Sequence, residues 1–178
     1  MVIQPTNNRP PENLSRPTLA QQCGLTWPRP ALSVWPPDTH LVLAVLLAVP
    51  VWTALCLLVG TRMYLPSGWA AWMSFLLVQP LAEELVFRGI LQGQALRLTT
   101  RDGKTLRIGP LSWANVLVTL AFVALHLPAQ PLAWALAVAV PSLVFGHLRE
   151  RFASVWPAVL LHAVYNAGFG LAGWLARG

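Results

Sequence analysis

Acidic residues are scarce in this chain: only 6 of its 178 residues are Asp or Glu, and 10% of all residues are charged. Hydrophobic residues make up 56%, including nine tryptophans, so there is too little polar surface to coat a soluble globule of this size. The two cysteines, Cys23 and Cys56, provide neither a disulfide framework nor a metal-binding spacing. The composition therefore predicts an integral membrane protein.

Long apolar runs cover residues 41–60, 69–98, 111–127, 132–148 and 154–176. Each has roughly 17 residues or more, enough for a helix to cross the hydrocarbon core, and a backbone that faces lipid must satisfy its own hydrogen bonds. We expect an all-α, polytopic transmembrane helix bundle with about five spans, or six if the second run breaks at Pro80. One long helix, kinked at Pro80, is favoured because a sixth span would reverse the later loops.

The first 40 residues have a different composition. They contain eight of the sixteen prolines and no long apolar run, so a helix of useful length is not expected there. We divide the chain into a proline-rich, disordered cytoplasmic tail, residues 1–40, and a transmembrane domain, residues 41–178.

Basic residues predict the orientation. With five spans, nine Lys and Arg residues lie on the side of the N terminus and two on the other side. Because basic loops stay in the cytoplasm, we expect a cell-membrane protein with a cytoplasmic N terminus and an external C terminus. The net charge of +6 suits an anionic lipid surface. Nucleic acid is not an expected partner, since no basic groove with interleaved aromatic residues is visible.

Two adjacent acidic residues, Glu83 and Glu84, interrupt the second apolar run. Charges at membrane depth cost ~2.5 to 3.5 kcal/mol each on insertion scales and are kept mainly where they face a cavity and have partners. Glu84 and Arg88 are four positions apart, so they can form an ion pair on one helix face. Glu83 lies about 100° from Glu84 around the helix axis, so it stays available for another role. Gly89 and Gly93 are expected to admit a neighbouring helix.

Three more polar residues lie in other apolar runs: His126 in the third, and His162 with Asn166 in the fifth. At about 1.5 Å per residue, they and Glu83 fall in the middle or outer half of a core about 30 Å thick. A lone polar residue in a span often only bonds across helices. The similar depth of these residues favours a single functional cluster.

Three motifs contain these residues. Glu83-Glu84-Leu-Val-Phe-Arg88 resembles EExxxR, Phe122-Val-Ala-Leu-His126 resembles FxxxH, and His162-Ala-Val-Tyr-Asn166 resembles HxxxN. In this order on separate helices, they resemble the CAAX-protease and bacteriocin-processing (CPBP) family of intramembrane proteases, which includes the Rce1-like enzymes. The resemblance implies that residues 41–178 form a protease domain. It also implies the catalytic residues Glu83, Glu84, Arg88, His126, His162 and Asn166.

The resemblance assigns a role to each residue. Glu83 is expected to act as the general base, with His126 helping to hold the attacking water. Donors from His162 and Asn166 are expected to stabilise the oxyanion. Glu84 and Arg88 are expected to fix Glu83 in place.

A zinc mechanism is the competing interpretation. Glu83, His126 and His162 match the ligand types of a catalytic zinc site. However, the sequence has no HExxH motif, and Arg88 would oppose a cation. We favour a metal-free reaction without a cofactor, with a divalent metal such as zinc as the alternative.

The expected function is an intramembrane endopeptidase that hydrolyses a peptide bond of a membrane-anchored protein or peptide in the lipid bilayer. One alternative is a C-terminal sorting-signal protease or transpeptidase of the same family. Another is a non-enzymatic membrane scaffold or bacteriocin-immunity protein, which damaged motifs would favour, whereas all three motifs are intact. An oligomer stays open, because better-known members of the family have more spans.

Overall fold

The structure, a computed structural model, describes residues 17–29, 37–60, 63 and 65–177. In chain order, the helices are α1 (Leu19–Gln22), α2 (Thr39–Leu58), α3 (Trp69–Thr99), α4 (Trp113–His126), α5 (Leu132–Ala137), α6 (Ala139–Arg151) and α7 (Trp156–Leu175). Four helical stretches in this part of the chain are long and apolar enough to cross a membrane: α2, α3, α5 together with α6, and α7. Helix α4 is apolar but shorter, with 14 residues. The predicted all-α polytopic bundle is confirmed.

Helix α3 runs without a break from Trp69 to Thr99, so the single second span is confirmed and a six-span arrangement is not found. Its hydrogen bonding changes along its length. The segments are α-helical at Trp69–Met73, π-helical at Ser74–Val78, α-helical at Gln79–Glu84, π-helical at Leu85–Leu91 and α-helical at Gln92–Thr99. The first π-helical turn ends just before Pro80, where a proline removes an intrahelical donor and a wide turn accommodates its ring.

Four short strands join α3 to α4: β1 (Thr100–Arg101), β2 (Lys104–Thr105), β3 (Arg107–Ile108) and β4 (Leu111–Ser112). Strand β1 pairs antiparallel with β2, and β3 with β4. Asp102 and Gly103 connect the first pair with positive φ angles of 51° and 73°, as a tight hairpin turn requires. The third apolar run therefore becomes helical at Trp113 rather than at residue 111, because Leu111 and Ser112 belong to β4 and Ser112 caps α4.

Two apolar clusters hold the helices together. The larger one joins α2, α6 and α7 and consists of Ala44, Phe145, Leu148, Phe152, Ala158 and Leu161. The smaller one joins α3 to α4 and consists of Phe87, Val118 and Phe122. Most other large apolar side chains on these helices face outward, which suits a bundle surrounded by lipid. The larger cluster thus fixes how α2, α6 and α7 pack together, and the smaller one fixes how α3 packs against α4.

Residues 17–29, which we call the N-terminal segment, differ from the predicted tail because they are folded against the bundle. The Gly24 carbonyl accepts from the Val155 N–H at 2.9 Å, and the Phe152 carbonyl accepts from the Arg29 N–H at 2.9 Å. The Ser154 hydroxyl donates to the Thr26 carbonyl at 2.8 Å. The folded domain thus extends beyond residues 41–178. The remainder of the predicted tail, residues 1–16 and 30–36, lies outside the described residues.

The N-terminal segment also occupies the place expected for a helix next to Gly89 and Gly93. A Cβ atom at Gly93 would lie 2.5 Å from the Gln22 carbonyl oxygen, and one at Gly89 would lie 3.3 Å from that of Cys23. The neighbour is the C-terminal end of the four-residue helix α1 and its cap residue Cys23, not a membrane-spanning helix. The small residues admit the backbone of the N-terminal segment, whose carbonyl groups approach α3 too closely for larger side chains.

Candidate active site

Glu84 and Arg88 form the predicted ion pair on α3. The Arg88 Nε atom lies 3.1 Å from Glu84 Oε2, and both side chains are 0% exposed. The Arg88 Nη2 group donates to the Ser142 hydroxyl of α6 at 2.7 Å, and its guanidinium carbon lies 5.6 Å from the centroid of the Phe122 ring. A buried ion pair is tolerated where further hydrogen bonds satisfy its atoms, as Ser142 does here.

His162 connects α7 to this pair. Its Nδ1 atom lies 2.9 Å from Glu84 Oε1, and its ring stacks on Phe145 at a centroid distance of 4.9 Å. An ionised carboxylate can only accept, so when Glu84 is ionised the Nδ1 atom carries a hydrogen. The Nε2 atom then faces the side on which Glu83 lies, 4.0 Å from Glu83 Oε2. Glu84 therefore holds His162 directly, and Arg88 acts on this histidine only through Glu84.

Glu83 is the accessible member of the acidic pair. Its side chain is 32% exposed, against 0% for Glu84 and 12% for His162. Its Oε2 atom lies 4.0 Å from His162 Nε2, a looser contact than the 3.1 Å between Glu84 and Arg88. Adjacent positions on one helix thus have different environments, one buried and paired, the other open to a reactant.

His126 is the last residue of α4 and is half-buried. Its Nδ1 atom lies 2.8 Å from the Phe122 carbonyl oxygen one turn earlier, and its ring lies 4.5 Å from the Phe122 ring. When Nδ1 donates to that carbonyl, Nε2 is the acceptor nitrogen of the neutral ring. The FxxxH spacing therefore fixes this histidine twice, through the Phe122 backbone and through the Phe122 side chain.

Asn166 lies one turn after His162 on α7 and donates from Nδ2 to the Phe75 carbonyl oxygen of α3 at 2.7 Å. That carbonyl belongs to the π-helical turn before Pro80, in which the Gln79 N–H donates to Ser74. The next donor in this pattern would be residue 80, and a proline has no N–H. The amide of Asn166 takes the place of the missing helical donor.

Several polar residues of this region were not found from the sequence. Ser142 donates to Thr119 at 3.0 Å, Thr119 lies 3.5 Å from Asn115, and all three are buried. Gln92, four positions after Arg88, is also buried and contacts α6. Two four-residue spacings in the sequence could have indicated these residues. They are Asn115 with Thr119, and Arg88 with Gln92. They indicate a shared helix face but not the partner helix.

The zinc set expected as the alternative was Glu83, His126 and His162. Among the residues that the structure describes, no three His, Cys, Asp or Glu side chains converge as a metal-binding group. Each histidine directs Nδ1 to a protein oxygen, that of Glu84 or that of Phe122, and this contact does not count against zinc because it leaves Nε2 free. As arranged, the three side chains do not fit the three short bonds of a catalytic zinc site.

The fold and this cluster define a class of protein, a polytopic helix bundle with an acid–histidine site among its membrane-spanning helices. Residues 65–168 match the family model described as type II CAAX prenyl endopeptidase Rce1-like. This stretch covers more than half of the chain and contains all six predicted site residues. The chain belongs to the Rce1-like family.

Comparison with curated proteins and with solved structures gave no match. Membership of the family supports an intramembrane protease of the CAAX type, located in a membrane and acting on a membrane-anchored protein.

Proposed function

We propose that the protein is an endopeptidase that hydrolyses a peptide bond of a membrane-anchored protein or peptide with a water activated by Glu83. One observation carries this proposal. Of two adjacent glutamates, one is buried in a pair with Arg88, while Glu83 is 32% exposed and lies 4.0 Å from the Nε2 atom of His162. A general base needs an accessible carboxylate beside a group that can share or orient a proton.

The proposed reaction begins with a water molecule between Glu83 and His126. The Glu83 carboxylate takes a proton from the water, and the resulting hydroxide attacks the carbonyl carbon of the scissile bond. The carbonyl oxygen becomes an oxyanion, which donors from His162 and Asn166 stabilise, each contributing a few kcal/mol in typical hydrolases. The proton on Glu83 then passes to the leaving nitrogen as the carbon–nitrogen bond breaks.

The contacts of His162 and Asn166 support these positions. His162 is held through Nδ1 by Glu84, and when both ring nitrogens carry a hydrogen its Nε2 atom can donate on the Glu83 side. Asn166 uses one hydrogen of its amide for the Phe75 carbonyl, and an amide nitrogen has a second hydrogen to donate. Glu84 and Arg88 act as positioning residues, since Glu84 holds His162 and Arg88 holds Glu84.

The proposed mechanism needs no metal ion. It is supported by the positive charge of Arg88, which is fixed beside Glu84 and would oppose a divalent cation in the same cluster.

We also propose that the N terminus is cytoplasmic and the C terminus external. The basic residues counted on one side meet at one end of the bundle: Arg97 Nη1 donates to Gln22 Oε1 at 2.9 Å, and Arg149 Nη2 donates to the Gln22 carbonyl at 2.9 Å. Basic clusters of this kind favour the cytoplasmic face. Reporter fusions after Lys104 and after Gly178 should report opposite sides. Fusions that report the same side would contradict this orientation.

Glu83→Gln tests the proposed function. The substitution keeps the volume and removes the base, so the purified, reconstituted protein should fold normally but lose cleavage of a membrane-anchored peptide. Asp102→Asn is the matched control, because it removes a carboxylate from an exposed hairpin turn and should leave turnover unchanged. Near-normal turnover by Glu83→Gln would show that another group is the base.

A further inference from the structure

Two buried polar atoms on α3 have unused hydrogen-bonding capacity. Within residues 17–29, 37–60, 63 and 65–177, Arg88 Nη1 and Gln92 Oε1 are buried without a hydrogen-bond partner, and both residues are 0% exposed. Leaving such a group unsatisfied costs about 1–3 kcal/mol, and more if it is charged. In native proteins, a buried group of this kind is usually satisfied by an ordered water molecule or an ion.

The orientation of the Gln92 amide is fixed by its other contacts. Its Nε2 atom donates to the Gly146 carbonyl at 2.9 Å and to Glu150 Oε1 at 2.8 Å. Both partners are acceptors, so exchanging the amide oxygen and nitrogen would place oxygen against oxygen. The Oε1 atom must therefore face away from α6, and it needs a donor of its own.

The Arg88 guanidinium is fixed as well. Glu84 accepts from Nε, Ser142 accepts from Nη2, and Phe122 lies against the group. The Nη1 group has only donors and needs an acceptor. Arg88 and Gln92 both contact α6, at Ser142 and at Gly146, so the two buried side chains lie between the same two helices and bring a donor and an acceptor to this part of the interface.

We propose that this space between Arg88 Nη1 and Gln92 Oε1 binds a water molecule. Water can accept from the guanidinium and donate to the amide oxygen at the same time. A cation would be repelled by Arg88, and an anion would meet the Gln92 oxygen, so neither satisfies both atoms. The Thr119 and Ser142 hydroxyl groups beside Arg88 provide the polar surroundings that a buried water molecule requires.

The water molecule would connect two polar groups that are otherwise separate. On one side lie Arg88 and Glu84, which hold His162. On the other side lie Gln92 and Glu150, whose carboxylate accepts from Ser112 and lies 3.7 Å from Arg107 Nη1. The Arg107 side chain is 44% exposed, so the polar column runs from the candidate active site to the loop between α3 and α4. Exchange of the bound water is expected at that end.

A structure of the full-length protein in lipid nanodiscs, at a resolution that shows solvent, tests the proposal without any substitution. The expected result is a density peak about 2.7–3.2 Å from both Arg88 Nη1 and Gln92 Oε1. A direct hydrogen bond between the two side chains, or ordered side chains with no peak between them, would overturn the proposal.

Magnetisation transfer from water to ¹⁵N-labelled arginine side chains provides a second test. The Arg88 Nη1 signal, assigned by its loss in Arg88→Lys, should receive transfer from a bound water molecule. Gln92→Met removes the amide oxygen at similar volume and should abolish this transfer. Gln94→Met makes the same change at an exposed position of α3 and should leave the transfer intact. Transfer that persists in Gln92→Met would contradict the site.

Discussion

Asn166 on α7 donates a 2.7 Å hydrogen bond to the Phe75 carbonyl on α3, and the proline at position 80 keeps that carbonyl available. The π-helical turn Ser74–Val78 directs the Gln79 N–H to Ser74, and Pro80 cannot donate to Phe75. The proline thus determines where a proposed oxyanion donor is held.

Pro80→Ala should weaken the hold on Asn166. An N–H at position 80 can donate to the Phe75 carbonyl and compete with the Asn166 amide. Because small displacements of a positioned group can cost up to ~10²-fold in rate, we expect kcat to fall by roughly 10-fold or more with little change in KM. The matched control is Pro50→Ala, which removes an exposed proline from α2 and should not alter kcat. Equal effects of both substitutions would contradict a positioning role.

Glu84→Gln should damage folding more than Glu83→Gln. It leaves the guanidinium of Arg88 buried without its ionised partner, and removing one partner of a buried ion pair typically costs about 3–5 kcal/mol. Thermal unfolding in detergent measures the difference between the two variants. Combining Glu84→Gln with Arg88→Met removes the unpaired charge and should restore part of the stability. If Glu84→Gln were as stable as Glu83→Gln, the pair would have no structural role.

Activity should survive exhaustive chelation if Glu83 activates the water without a metal ion. Asn166→Ala should then lower kcat by ~10² or more with little change in substrate affinity, because the amide acts mainly on the oxyanion. Turnover of a defined membrane peptide is measured together with the metal content of the purified protein. Stoichiometric zinc, chelator-sensitive activity and recovery on adding zinc would instead support the alternative with Glu83, His126 and His162 as ligands.

Gly93→Val should loosen the N-terminal segment from the bundle. Even a Cβ atom at this position would lie 2.5 Å from the Gln22 carbonyl oxygen, which belongs to the backbone and cannot rotate away. We expect a loss of about 1–3 kcal/mol in the free energy of unfolding, as is typical for overpacking. Protease cleavage within residues 17–29 should also become faster. Gln94→Val, at the next and exposed position, controls for the effect of a β-branched residue in a helix.

Much of the candidate site could be predicted because its residues carry local signals. Glu84 and Arg88 are four positions apart, so their pairing follows from helix geometry alone. Charges at membrane depth are costly, which singled out Glu83 and Glu84. The partner of Glu84 on α7 could not be predicted in this way. That His162 contacts Glu84 at 2.9 Å and Glu83 only at 4.0 Å depends on how α3 and α7 are rotated against one another.

The N-terminal segment shows the same limit. Its prolines correctly indicated the lack of a long helix, but composition does not report a segment held by hydrogen bonds to distant residues. Val155 and Phe152 lie more than a hundred positions from Gly24 and Arg29, with which they pair. Likewise, Gly89 and Gly93 indicated a close approach on α3, but a small residue does not reveal whether a membrane-spanning helix or a short folded segment approaches it.

The sequence by itself determined the class of protein and its apolar helical segments, and it singled out the candidate site residues. These depend on composition, on the periodicity of a single helix and on the cost of charge in lipid, all of which act within one segment of chain. Only the tertiary structure decided that Glu84 holds His162, that Phe75 holds Asn166 and that residues 17–29 pack on α3. Those contacts join segments far apart in the chain, and packing of side chains between helices sets the rotation and depth at which they meet.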